Sequence, residues 1–121
     1  MLPFWLVELL MSNTVAPALK TLLHSLDENQ AIDAVVFDVR DHTPITDHMV
    51  ICGGRSSRQV KAIAEHAIEQ MKAKGYLANA VSGLQTAEWV LVDFGDVILH
   101  VMQPDTRAFY NLEGLWQSPT E

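Results

Sequence analysis

The sequence predicts an α/β (α+β) domain in which a single mixed β-sheet is flanked by helices. Three observations carry this expectation. Residues 89–102 form two apolar runs around Gly95-Asp96, a two-residue hairpin signal. Residues 56–75 read as a capped amphipathic helix. The segments follow the order α-β-β-α-β-β-β-α without repeats, low-complexity tracts or linkers, which suits one sheet with helices packed on it.

The elements follow in turn. Pro17 suits the first turn of a helix, with Asn13 or Thr14 as its cap. Val15, Leu19, Leu22, Leu23 and Leu26 then share one face at helical spacing, and Asp27-Glu28-Asn29 ends the run. Ala34 to Val39 is apolar and β-branched, as a buried strand is. Asp41 to Asp47 is a polar loop containing Pro44. His48 to Cys52 is a second short strand, stopped by Gly53-Gly54.

Ser56 and Gln59 form a capping-box pattern ahead of a stripe made by Val60, Ile63, Ala64, Ala67, Ile68 and Met71. Lys72 and Lys74 favour the negative end of the helix dipole, and Gly75 supplies the stop. Ala78 to Ser82 is a weaker strand. Trp89 to Phe94 and Val97 to Met102 form the hairpin, with Phe94 opposite Val97 and Val92 opposite Leu99. Pro104, Asp105 and Thr106 start a last short helix through Tyr110, and Gly114 breaks it.

Strand parity divides the hairpin. Val90, Val92, Phe94, Val97, Leu99 and Val101 make one wholly apolar face. Trp89, Leu91, Asp93, Ile98, His100 and Met102 make the other, where Asp93 and His100 are diagonal neighbours. A mixed face of this kind suits a partner-binding sheet surface. It also suits an interior face covered by helices, with Asp93 and His100 hydrogen-bonded to each other.

Composition sets outer bounds. The 121 residues suit one domain with a real core, and 49% hydrophobic against 19% charged residues indicates a folded globule. Cys52 is the single cysteine, so no intrachain disulfide forms, which fits a reducing, cytoplasmic setting. The formal net charge of -7 disfavours bare nucleic acid. From Val81 onward the only base is Arg107, against Glu88, Asp93, Asp96, Asp105, Glu113 and Glu121. An acidic C-terminal part suits a basic protein surface, although plain solubility would produce it too.

Met1 to Met11 is apolar but too short to span a bilayer. It lacks the basic lead and unbroken apolar run of a signal peptide, since Glu8 interrupts it. We expect residues 1–12 to be an N-terminal extension, with Met11 a candidate true start, residues 13–117 to be the single domain, and 118–121 a short tail.

Candidate chemistry is sparse. Gly53-Gly54-Arg55-Ser56-Ser57 leads into a helix whose free N–H groups could cradle a phosphate, with Arg55 and Arg58 close by, so Gly53, Gly54, Arg55, Ser56 and Arg58 are the candidate anion-binding residues. This turn resembles the Gly-Ser turn of nucleotidyltransferases, but the two carboxylates one residue apart that hold their Mg²⁺ do not follow it. His24, His42, His48, His66 and His100 lack a close metal-ligand partner at helical spacing, and there is no Cys-x-x-Cys. Four residues of strand between His48 and Cys52 span roughly 13 Å, too far for a nucleophile and its base. Cys52 reads as a small core residue, and the C-terminal Trp and Tyr residues read as packing anchors.

Thr46-Asp47, Val50-Ile51-Cys52-Gly53, Ser56-Ser57-Arg58-Gln59-Val60, Ala62-Ile63-Ala64, the string from Trp89 to Val101, and Tyr110-Asn111-Leu112-Glu113 with Leu115-Trp116 together resemble the ribosomal silencing factor family, also called the RsfS, YbeB or Iojap family. The resemblance runs from about Leu19 to Trp116, and the hairpin string is its specific part. There are two departures. Ser82 stands where the family usually has Glu before Gly83, which puts any role of that Glu in doubt here, and His48 stands where it favours an aromatic.

The resemblance implies a binding protein that is not an enzyme and uses no cofactor or metal. It implies a nucleotidyltransferase-like fold without the catalytic carboxylates. Its partner would be the large ribosomal subunit, through that subunit's protein fourteen. Occupying that face would block joining of the small subunit and lower translation when nutrients are scarce. The resemblance implies contact residues on the hairpin: Trp89, Val90, Asp93, Phe94, Gly95 and Asp96, with His100 on the mixed face beside them. Trp89 and Phe94 would be apolar anchors, although a flat strand points them to opposite faces, and Asp93 and Asp96 would pair with partner bases. It also implies a homodimer when free of the ribosome; a dimer that used the same apolar face would be mutually exclusive with ribosome binding. The competing expectation is a degenerate nucleotide-binding module at Gly53 to Arg58, which calorimetric titration with ATP or GTP distinguishes.

Overall fold

The computed structural model describes residues 16–116. The proposed extension and the expected caps Asn13 and Thr14 lie outside this range, as does Val15. The first described helix, α1 (Pro17–Glu28), places Pro17 at its start and Ala16 at the N-cap position, with no side-chain cap. The reason is steric: the residue before a proline is pushed out of the helical region, so the helix begins at Pro17 itself.

The remaining elements are β1 (Ile32–Asp38), β2 (His48–Gly53), α2 (Ser57–Ala73), β3 (Ala80–Ser82), β4 (Trp89–Asp93), β5 (Val97–Met102), α3 (Pro104–Tyr110) and α4 (Glu113–Trp116). The five strands form one sheet in the order β1-β2-β5-β4-β3. β2 runs parallel to β5 and the other neighbours are antiparallel, so the sheet is mixed as expected. The hairpin register also agrees: Val92 lies opposite Leu99, and the Phe94 N–H donates to the Val97 carbonyl at 2.9 Å.

Both long helices pack on one face of the sheet. Leu19, Leu22, Leu23 and Leu26 of α1 and Val60, Ile63, Ala67 and Met71 of α2 close over Val50, Cys52, Val90, Val92, Leu99 and Val101. The wholly apolar hairpin face is therefore the inner one. The opposite face holds a smaller cluster of Met49, Ile51, Ile98 and Met102, with Val39, and Trp89, Leu91 and Leu112 pack against it half-buried. Asp93 and His100 do not pair: each has a different partner, described below.

Two details differ from the sequence expectation. β1 starts at Ile32 and bulges near Asp33, whose φ of 47° is left-handed. After α3 the chain turns at Asn111, also left-handed at φ 46°, and resumes helix through Gly114 as α4. Gly114 therefore does not end the helical part of the chain. Asn111 makes the break, because its short polar side chain tolerates the left-handed conformation that ends a helix.

Candidate partner-binding surface

The expected contact residues separate by parity and by strand end. Val90 is fully buried beneath the helices, and Phe94 packs half-buried against the same cluster. Trp89, Leu91 and Asp93 point to the opposite face. Phe94 therefore belongs to the helix side and Trp89 to the other. Trp89 also stands four residues from Asp93, roughly 14 Å along the strand, so the indole and the acidic hairpin tip occupy opposite ends.

The tip is rigidly tied. Gly95 takes φ 92°, the positive value that the first central residue of a II′ turn needs. Its N–H donates to Asp93 Oδ1 at 2.8 Å, so Asp93 braces its own turn. The Asp96 carbonyl accepts from the Asp47 and His48 N–H groups, each at 3.1 Å, which pins the tip to the start of β2. The side chains of Asp96 and Asp47 are exposed beside exposed Ile45.

At the other end of the hairpin lies an aromatic cluster that strand parity does not reveal. The Trp89 indole Nε1–H donates to His100 Nδ1 at 2.9 Å. Its ring meets Tyr110 of α3 at a centroid distance of 4.9 Å, and Tyr110 meets Phe109 edge-on at 5.0 Å. Phe109 is 81% exposed, Tyr110 54% and Leu115 69%. These aromatics are not buried packing anchors. They form an open apolar cluster seated on Trp89, with exposed Glu88 and Asp105 nearby in the chain. The Phe109-Tyr110 pair just after the last strand was the signal available in the sequence; that its helix buries no residue is seen only in the structure.

Arg107 places this cluster. Its guanidinium donates to the Ile32 carbonyl at 3.1 Å and the Asp33 carbonyl at 2.7 Å, and forms an ion pair with Glu113 at 2.9 Å. The one base after Val81 is thus engaged with the fold itself, while Glu88, Asp96 and Asp105 stay exposed. A groove of about 640 Å³ beside it is lined by Ile32, Val35, Pro104, Ala108 and Asn111 among others.

The glycine turn has structural work of its own. A Cβ on Gly54 would lie 2.9 Å from Val60 Cγ2 and 3.0 Å from the Val60 nitrogen, so glycine lets α2 start tight against β2. Ser56 Oγ accepts from the Gln59 N–H at 3.1 Å, and Gln59 Oε1 reaches back to the Arg55 N–H at 2.6 Å. The Gly54 N–H donates to the Met102 carbonyl at 3.1 Å. Several donors that a phosphate would use are therefore bonded within the fold, while the Arg55 and Arg58 side chains are exposed. Burial pushes the Cys52 thiol up to about 12, which removes it as a nucleophile. Among the described residues no group of three or more His, Cys, Asp and Glu is placed to hold a metal, and no helix is long and apolar enough to cross a membrane. A polar junction between the helices was not anticipated: His66 Nδ1 meets Ser25 Oγ at 3.1 Å and the Asn29 amide.

The family model described as ribosomal silencing factor during starvation matches residues 12–121. The chain belongs to the ribosomal silencing factor family. The ribosomal silencing factor RsfS of Haemophilus influenzae is 46% identical over 95 residues, covering 78% of this chain and 93% of that one. A crystal structure of a Chromobacterium violaceum protein superposes with a TM-score of 0.81 at 35% identity, covering 85% of this chain and 88% of that one. A more distant relative is the mouse protein named mitochondrial assembly of ribosomal large subunit protein 1. It is 32% identical over 98 residues, 78% of this chain but only 43% of the mouse protein. The two departures from the silencing-factor pattern now have places. Ser82 lies exposed on the edge strand β3, opposite Leu91, and His48 opens β2 opposite Asp38.

Proposed function

We propose that this silencing factor binds the large ribosomal subunit through that subunit's protein fourteen and, by occupying the face that meets the small subunit, blocks joining and represses translation. One observation carries the proposal: an exposed aromatic cluster, Phe109 and Tyr110, rests on Trp89 in the acidic, base-poor part of the chain. Aromatic anchors supply binding energy, and acidic residues around them favour a basic ribosomal protein. Steric exclusion needs affinity, position and bulk, and no catalytic step. The name of the mouse relative, which refers to the large subunit, favours that subunit over the small one. The acidic tip at Asp93, Gly95 and Asp96 serves as a second contact. The free chain pairs with a second copy through the same aromatics, so dimerisation and ribosome binding compete, and both act in the cytoplasm.

Co-sedimentation with separated ribosomal subunits tests this. The chain should pellet with large subunits only. The Phe109→Ala, Tyr110→Ala double variant should lose about 2 kcal/mol or more of binding, as aromatic hot spots do. Asp96→Lys reverses a tip charge while leaving the bonded backbone carbonyl in place, whereas Asp93→Lys would also remove the brace on Gly95. Pelleting with both subunits or with neither, or pelleting unaffected by any of these changes, would overturn the proposal.

A further inference from the structure

We propose that His100 is a positioning residue of this surface: it does not meet the partner, and its imidazole, held between Met49 and Trp89, sets the angle at which the Trp89 indole supports the exposed aromatics. This rests on the partner-binding function proposed above. It also changes the expectation that His100, on the mixed hairpin face, contacts the partner, since a side chain 5% exposed in the central strand β5 is out of a partner's reach.

The hydrogen-bond chemistry of the two neighbours agrees on one state of the ring. An indole N–H only donates, so His100 Nδ1, at 2.9 Å from Trp89 Nε1, presents its lone pair. A thioether sulfur only accepts, so Nε2, at 2.9 Å from Met49 Sδ, carries the proton. Both contacts therefore select the neutral Nε2–H tautomer, and the ring is held at both ends. Trp89 and His100 sit diagonally across β4 and β5, because Trp89 lies opposite Met102 and Leu91 opposite His100. The bond fixes which edge of the indole turns inward. A flipped indole would leave its N–H half-buried and unpaired, and would move the face on which Tyr110 rests.

A continuous series follows, running from buried Met49 through His100, Trp89 and Tyr110 to Phe109 at 81% exposure. It joins β2, β5, β4 and α3. A leucine would fill position 100 without the desolvation that holds this imidazole down to about 4. What leucine lacks is an acceptor for the indole.

The test compares His100→Leu with His100→Asn in the full chain, because Asn Oδ1 takes the place of Nδ1 as acceptor. The first readout is solvent exchange of the Trp89 indole N–H by NMR, assigned through Trp89→Phe. The second is pelleting with large ribosomal subunits. His100→Leu should speed indole exchange and weaken pelleting, each by about tenfold, equivalent to one lost hydrogen bond. His100→Asn should restore both to within about threefold of the parent. Unchanged indole exchange in His100→Leu overturns the proposal, as does unchanged pelleting in the folded variant or failure of His100→Asn to restore either readout. Should the parent chain itself not pellet, the ribosome reading fails, and indole exchange alone decides for or against positioning. Should His100→Leu not fold, Met49→Leu replaces it: removing the sulfur acceptor should loosen the indole severalfold, and unchanged exchange overturns the proposal.

Discussion

Burial holds His100 near a pKa of about 4, against 6.5 for a free imidazole. The unfolded chain therefore binds a proton between these values that the folded chain does not, so stability rises with pH across this window and is lost as pH falls through it. The full penalty, reached near pH 4, is about 3 kcal/mol. Urea unfolding of the parent should weaken from pH 7 to pH 4.5, and His100→Leu should flatten that slope. Asp38 acts in a separate window. The Arg40 guanidinium beside it holds its carboxyl down to about 2 from 3.8, so its contribution is present above the higher value and fades only below it. Gly83 is sensitive for a steric reason. It takes φ 89°, and a Cβ there would stand 2.0 Å from the Trp89 carbonyl oxygen. Backbone cannot yield as a side-chain end can, so Gly83→Ala should cost about 2–4 kcal/mol in urea unfolding, at the high end for point changes. A loss below about 1 kcal/mol would show that the approach to Trp89 relaxes easily.

Among the elements, α3 depends most on a single contact. It buries no residue of its own, yet it carries Phe109 and Tyr110. Arg107 anchors it by bonds to the carbonyls of Ile32 and Asp33 at the bulge of β1 and to Glu113. Arg107→Ala leaves these acceptors short of a charged donor, at about 2–3 kcal/mol. The loss should be local. Amides of residues 104–116 should exchange much faster, while those of β2 and β5 keep their protection, and large-subunit pelleting should fall with the loosened segment. Uniform loss of protection across the sheet would instead make Arg107 a global fold determinant. Helix α2 is more self-sufficient, since its Ser56–Gln59 box and its apolar stripe both come from its own sequence.

At the scale of the whole molecule, Cys52 reports on cooperativity. It lies fully buried in β2, between β1 and β5, and its thiol is pushed up to about 12. Only the thiolate reacts, and only when exposed. At pH 8 a disulfide reagent should label the native chain at least about a thousandfold more slowly than the urea-unfolded chain, in line with the open population of a stable domain. Fast native labelling would mean that β2 opens without global unfolding. The molecule is also divided in charge. The bases cluster from Arg55 to Lys74, while the C-terminal part past Val81 keeps only Arg107, and the structure commits that residue internally.

Much of this is legible in the residues because it is local. Period-two alternation around Gly95-Asp96 sets the hairpin register, the 3.6 period after Ser56 sets α2, and the wording of residues 89–101 carries the family. Other features join residues far apart in the chain. Parallel pairing of β2 with β5 is one, and the reach of Arg107 to residues 32 and 33 is another. The Ser25–His66 junction and the seating of Tyr110 on Trp89 are two more. Spacing along the chain states which face a side chain takes within its own element. It does not state which element lies opposite, because that follows from packing all apolar faces at once. Sequence therefore settled the class, the hairpin and the family. Tertiary structure decided that Val90 and Phe94 turn inward, that His100 is buried and bonded to Trp89, and that the open aromatic surface belongs to α3.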